Sequence, residues 1–270
     1  MSMLAFGKRA TATLLLLASA SAPAADRFDD ARAVIRQQML DSQVASVSVA
    51  VAHRGKIVFE AGFGWADKER RVAATPHTMY SLASLTKPIT VTGLMTLIEA
   101  GKVQSLDQPA NDLLGNAKLK VWVGDERQVT VRSLVNHTSG IPGGGQFFYG
   151  DDIRLRPAMD EAVLRYGGVM FAPGERYDYS NLGYGVLGYI VERAAGRSYE
   201  QYLKQSIFVP LGMTRSSIDV GPGLEEYQAI RYDGAGQPLP PYVATEAGSM
   251  AAYSSAHDLA RLGMFFLKDR

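Results

Sequence analysis

Two short segments of this chain carry residue types able to do acyl chemistry. In Ser84-Leu85-Thr86-Lys87 a serine stands three positions before a lysine. On a helix that spacing places both side chains on one face, about one turn apart. Ser84 Oγ and Lys87 Nζ can then share a pocket. A free hydroxyl is a poor nucleophile and needs an adjacent base. An exposed ammonium cannot accept a proton, but burial or a nearby cation lowers the lysine pKa until it can. Pro88 supports a helix start here, because proline is tolerated in the first turn and not in the interior. The helix start also offers unpaired N–H groups and a dipole that favour negative charge developing beside Ser84. The motif alone is common, at roughly one chance occurrence in a few hundred residues. An N-capping serine followed by a solvated lysine would look the same.

Tyr179-Ser180-Asn181 is the second segment, just before a helix that opens at Leu182. A phenol beside an ammonium can titrate below its usual value or relay a proton. Asn181 offers both a donor and an acceptor to a substrate amide. A capping Ser180 or Asn181 beside a core tyrosine is the structural alternative.

The elements that must position these residues follow from periodicity. Phe28 to Leu40 has apolar residues at helical spacing, Ala45 to Ala52 alternates, and Ile57 to Gly64 follows across a His53-Arg54-Gly55-Lys56 turn. Helix then hairpin predicts an antiparallel sheet covered by helices. Helices are predicted over Ser84 to Gly101, Val131 to Asn136, Pro157 to Tyr166, Asn181 to Ala195, Tyr199 to Phe208 and Ala256 to Lys268. The Gly101-Lys102 pair reads as a C-cap, and Pro157 suits a first turn. Gln228 to Pro240 and Tyr242 to Thr245 are the weak strand material late in the chain. The expected architecture is α/β of the α+β type. An antiparallel sheet part (25–79 and about 241–270) is flanked by helices and interrupted by an all-helical insertion (about 80–240).

Ser84-x-x-Lys87, then His137-Thr138-Ser139-Gly140-Ile141-Pro142, then Pro173-Gly174-Glu175 leading into Tyr179-Ser180-Asn181 occur in a telling order. Each motif is common, but the ordered set resembles the serine β-lactamase and D,D-peptidase superfamily. The likeness runs from about Ala45 onward, including Leu182-Gly183-Tyr184-Gly185-Val186-Leu187-Gly188. It is strongest to the branch of class C β-lactamases, D,D-carboxypeptidases and related esterases. The resemblance implies a site between the sheet and the helical part. There Ser84 forms an acyl-enzyme on a β-lactam, a D-alanyl peptide or an ester, Lys87 and Tyr179 manage the proton, and Asn181 binds substrate. Which of Lys87 and Tyr179 is the base stays open. No cofactor or metal is expected. A Ser-Asp-Asn second motif is absent, so glutamate-driven deacylation of the class A type is not indicated.

One departure bears on activity. This branch carries a Lys-Thr-Gly or His-x-Gly motif on a late strand that also provides the second oxyanion N–H. Neither follows Tyr179, and Asp233-Gly234-Ala235-Gly236 does not match. We therefore expect an incomplete sheet, as in a shortened family member. The alternative function is a non-catalytic peptidoglycan-binding or regulatory relative. The Gly143 to Gly150 loop is expected to form a pocket wall, with Tyr149 its substrate-binding side chain.

Other constellations carry less. His137-Thr138-Ser139-Gly140 lacks the glycine two residues before the serine that a nucleophile elbow uses. It reads as a turn, with His137 bonded to backbone. Ser254-Ser255-Ala256-His257-Asp258 holds all three triad types, but triad members rarely adjoin in sequence. It reads as a helix N-cap with an acid in the first turn. The histidines at 53, 77, 137 and 257 show no metal-binding spacing.

Residues 1–24 read as an export signal: Lys8 and Arg9, an apolar run around Leu14 to Leu17, then Ala22-Pro23-Ala24. Cleavage there would move the formal charge from +1 to −1. A near-neutral protein argues against nucleic acid as a partner, and after cleavage no stable membrane insertion is expected. Cysteine is absent, which excludes disulfides and thiolate chemistry. A secreted or periplasmic protein acting on a small-molecule or peptidoglycan-derived substrate is the expectation. The oligomeric state is not legible.

Overall fold

The computed structural model describes residues 27–267. The predicted export signal and its cleavage point lie outside them. In chain order the elements are α1 (Asp29–Asp41), β1 (Ser46–His53), β2 (Lys56–Asp67), β3 (Val72–Ala73), β4 (Tyr80–Ser81), α2 (Thr86–Glu99), β5 (Lys120–Val121) and α3 (Val131–Val135). Next come β6 (Phe147–Tyr149), α4 (Met159–Tyr166), β7 (Gly168–Val169), α5 (Asn181–Ala195) and α6 (Tyr199–Leu203). The last are β8 (Ser217–Ile218), β9 (Tyr242–Ala244), α7 (Ala247–Met250), β10 (Ala252–Ser254) and α8 (Ala256–Leu267). None of the described helices is long and apolar enough to cross a membrane.

The first sheet has the order β1-β2-β3 and is antiparallel, with Ser46 opposite Gly64 and Val49 opposite Ala61. Period-two alternation sends Phe59, Ala61 and Phe63 to one face. There they pack against Phe28, Ile35 and Met39 at the start and along α1. The Phe28 and Phe59 rings stack at 4.5 Å. A second sheet, β4-β10-β8, joins the start of the helical part to the end of the chain.

The main core lies in the helical part. Ile89, Leu94 and Leu97 of α2 pack with Val186, Leu187 and Ile190 of α5, and with Leu203 and Phe208. The sequence sets the limits of α5. Ser180 caps its start by accepting from the Gly183 N–H at 2.9 Å, and Gly196 ends it in the left-handed region at φ 66°. At the end of α2, Gly101 and Lys102 donate back to Ile98 and Leu97, as the predicted C-cap requires.

Several expectations need correction. The insertion is not all-helical. It carries short strands, among them the parallel pair β5–β7. Helix α4 opens at Met159 after an extended Ala158, so Pro157 precedes the helix instead of opening it. Residues 228–240 form no named strand, only the isolated bridges Met79–Gln228 and Tyr232–Pro238. Residues 147–149 are a strand and not a loop, and they pair with β9. The segment after Leu203 continues as a π-helical turn, Lys204–Phe208.

Helices α5 and α7 approach closely. A Cβ placed on Gly248 would lie 2.3 Å from the Tyr184 carbonyl oxygen and 2.9 Å from the Gly188 Cα. Both obstacles are backbone and cannot swing aside. Gly248→Ala should therefore cost about 1–3 kcal/mol from overpacking. A melting temperature several degrees lower is the expected result, and an unchanged one would show that the helices separate freely.

Candidate active site

The nucleophile candidate sits on a 3₁₀ turn, Ala83–Leu85, which runs directly into α2. Ala83 before it has φ 46°, a left-handed conformation that costs a non-glycine residue energy. Such strain persists only where surrounding contacts enforce it. Two contacts do so here. The Leu82 N–H donates to the Ala252 carbonyl at 2.9 Å, and the Ala252 N–H donates to Thr86 Oγ1 at 3.0 Å. Strand β10 thus clamps the turn from both sides. Deeper along α2, Thr90 Oγ1 donates to the Gly248 carbonyl at 2.6 Å, fixing the helix to α7.

Lys87 lies one turn beyond Ser84 and is buried, only 5% exposed. Its Nζ donates to Ser84 Oγ at 3.2 Å, to Asn181 Oδ1 at 2.9 Å and to the Ser249 carbonyl at 3.2 Å. Three acceptors match the three N–H donors of an ammonium. The Tyr179 and Tyr184 rings face the same nitrogen, with centroids at 4.6 and 5.4 Å, which suits a cation.

Tyr179 reaches this cluster from the loop before α5, with its OH donating to Ser84 Oγ at 2.8 Å. Burial pushes the phenol pKa up, but the Lys87 contact, the Ser84 bond and the Lys87 charge together pull it below the usual tyrosine value. The balance leaves an acidified phenol touching Ser84 Oγ. Tyr179 is 40% exposed and Ser84 is exposed, so the cluster is open to solvent on one side.

His137 holds the Tyr179 loop in place. Its Nδ1 accepts from the Ser180 N–H at 3.0 Å, and its ring lies 4.4 Å from that of Tyr179. Burial, then the Lys87 charge, hold its pKa below the ordinary histidine value. A neutral ring is what accepting a backbone N–H requires. The Ser180 hydroxyl donates to the Pro142 carbonyl at 3.0 Å. Gly140 lets the 137–142 turn press against residue 171: its φ is 81°, and a Cβ there would sit 2.0 Å from the Phe171 oxygen.

Four of the five expected site residues, Ser84, Lys87, Tyr179 and Asn181, therefore meet. Tyr149 does not join them in any described contact. It pairs with Tyr242 across β6–β9, with ring centroids 6.1 Å apart. The sequence reading missed the Ser249 carbonyl and Tyr184. A main-chain acceptor leaves no mark on residue type, whereas Tyr184, five residues after Tyr179 on a predicted helix, could have been found by its position. The two decoys behave as expected. Ser139 is buried, and its Oγ accepts from the Ile141 N–H at 3.4 Å. Ser255 Oγ caps α8 by accepting from the Asp258 N–H at 3.1 Å. A separate concavity of about 960 Å³ is lined by Val44, Tyr80, Ser81, Arg231 and Leu239, and none of the four site residues borders it.

Comparison with known proteins identifies the family. The family model described as Beta-lactamase matches residues 31–270. The putative penicillin-binding protein PbpX of Bacillus subtilis is 29% identical over 239 residues, covering 84% of this chain and 57% of that protein. Penicillin-binding protein 4* of the same organism is 33% identical over 178 residues, covering 63% of this chain and 37% of that one. The chain thus spans about two-fifths to three-fifths of the curated relatives it matches. Among solved structures, the octameric penicillin-binding protein homologue from Pyrococcus abyssi has a TM-score of 0.73 at 31% identity, covering 91% of this chain and 57% of that one. A class C β-lactamase in complex with cefoxitin has a TM-score of 0.75 at 24% identity, covering 90% and 66%, which speaks for the fold alone. With its family model matched from residue 31 to 270, the chain belongs to the β-lactamase family, within the superfamily of serine β-lactamases and penicillin-binding proteins.

Proposed function

We propose that this protein is a serine acyl hydrolase that forms an acyl-enzyme through Ser84 on a β-lactam, a D-alanyl peptide or an ester. The observation that carries the reading is Ser84 Oγ held 2.8 Å from the Tyr179 hydroxyl and 3.2 Å from Lys87 Nζ. Both distances allow direct proton transfer. In this reading Lys87 acts as the ammonium that acidifies Tyr179. The ionised phenol takes the Ser84 proton as Oγ attacks the carbonyl, then returns it to the leaving group. Asn181 shares its amide between Lys87 and the substrate. Water then releases the acyl group. We read the site as lying where the helical part (about 80–240) meets the sheet part, in an exported protein with a small-molecule or peptidoglycan-derived substrate.

This assignment of the base gives a pH signature. A base works only when deprotonated, so acylation should fall as pH drops through the phenol's pKa. Because that pKa is lowered, the limb should lie below the ordinary tyrosine range. Tyr179→Phe should slow acylation about 10²–10⁴-fold and remove the limb. A variant that keeps the limb would assign the base to Lys87.

A second reading is a non-catalytic peptidoglycan-binding or regulatory relative. Incubation with a fluorescent penicillin and with an activated ester separates the readings. Covalent labelling followed by release supports the hydrolase, whereas no labelling by either, in protein shown to be folded, supports the binding role.

A further inference from the structure

Away from Ser84, the fold gathers three metal-ligating side chains that are far apart in sequence. Glu60 lies on β2, His77 in the turn before β4, and His257 in the first turn of α8. One ligand atom from each lies within 4.8 Å of the other two. Glu60 Oε2 and His257 Nδ1 are 2.8 Å apart, and the two imidazole centroids are separated by 4.6 Å.

The backbone around them is well held. The His257 N–H donates to the Pro76 carbonyl at 3.1 Å, which ties α8 to the 75–78 turn. Within that turn the Thr75 N–H donates to Thr78 Oγ1 at 2.9 Å, and the His77 N–H donates to Thr75 Oγ1 at 3.2 Å. Glu60 is fixed in register opposite Ala50. The scaffold is therefore set, while Glu60 and His77 themselves are exposed at the surface.

We propose that Glu60, His77 and His257 form a binding site for a first-row divalent transition cation of the zinc type. Two imidazole nitrogens and one carboxylate oxygen are a donor set that zinc takes, with a fourth position open to water. Tetrahedral zinc with bonds of 2.0–2.1 Å holds its ligands about 3.4 Å apart. The Glu60–His257 pair would open slightly and the wider separations would close by about 1.4 Å or less. Side-chain rotation covers that range. The cation would take the place of the Glu60–His257 hydrogen bond and recruit the neighbouring His77 imidazole. It would join the first sheet, the 75–78 turn and α8, and so brace β10, the strand that clamps the Ser84 turn. This site does not depend on the hydrolase reading.

The test is calorimetric titration of untagged, chelator-treated protein with zinc chloride, paired with melting curves with and without zinc. One zinc per chain and a higher melting temperature are expected. His77→Ala and His257→Ala should each lose the zinc-induced rise, while His53→Ala, which alters an exposed histidine elsewhere, keeps it. Metal-free melting curves of each variant establish that it is folded. No zinc uptake by folded wild-type protein, or equal uptake by the His77→Ala/His257→Ala double variant, would overturn the proposal.

Discussion

Ser84→Ala should abolish covalent labelling by a penicillin or an activated ester while leaving the melting temperature nearly unchanged. The two halves of this expectation have separate causes. Labelling requires an oxygen to bond the carbonyl carbon, and a methyl group supplies none. Stability is little affected because Ser84 is exposed. Tyr179 loses its acceptor and Lys87 one of three, but water can replace the hydroxyl at an open site. Exposed substitutions of this kind usually stay within about 0.5 kcal/mol. Residual labelling at the wild-type rate would move the nucleophile elsewhere. A collapse in melting temperature would mean that the 3₁₀ turn depends on the hydroxyl, for which no contact in the structure gives a reason.

Lys87→Met should slow acylation by about 10²–10⁴-fold and weaken substrate binding much less. Methionine keeps the length and removes the charge that acidifies Tyr179. Two effects on stability oppose each other. The Asn181 Oδ1 and Ser249 carbonyl lose a donor, at about 1–3 kcal/mol for a buried acceptor. The protein no longer buries an ammonium, whose desolvation costs several kcal/mol. These offset well enough for the variant to fold. Rapid-mixing kinetics separates binding from acylation. If binding fell and the acylation rate held, Lys87 would be a binding residue and not part of the proton path.

Much of this site was legible in the sequence, for physical reasons that differ by residue. The Ser84–Lys87 relation is local: three positions on a helix fix it whatever the rest of the fold does. Helix α5 matches the predicted Asn181–Ala195 span, and in the structure a serine cap and a left-handed glycine bracket it. The approach of Tyr179, 95 residues from Ser84 in sequence, is not local. No periodicity contains it, and only the ordered family motifs implied it. The decision that strand β6 exists is likewise non-local. Phe147 to Tyr149 follows three glycines and reads as loop until β9, about a hundred residues later, offers its edge. That is why the pairing of Tyr149 with Tyr242 could not be read from the sequence. The gathering of Glu60, His77 and His257 also escaped a search for ligand spacing, because three separate elements contribute one residue each.

The most direct test of the central claim, that one hydroxyl, one amine and one phenol converge on a single carbonyl, is peptide mapping by mass spectrometry after brief exposure to a penicillin. The acyl mass should appear on the peptide containing Ser84 and on no other, and its yield should drop sharply in the Lys87→Met and Tyr179→Phe proteins. An adduct on Ser139 or Ser255, or equal yield at Ser84 in all three proteins, would contradict it.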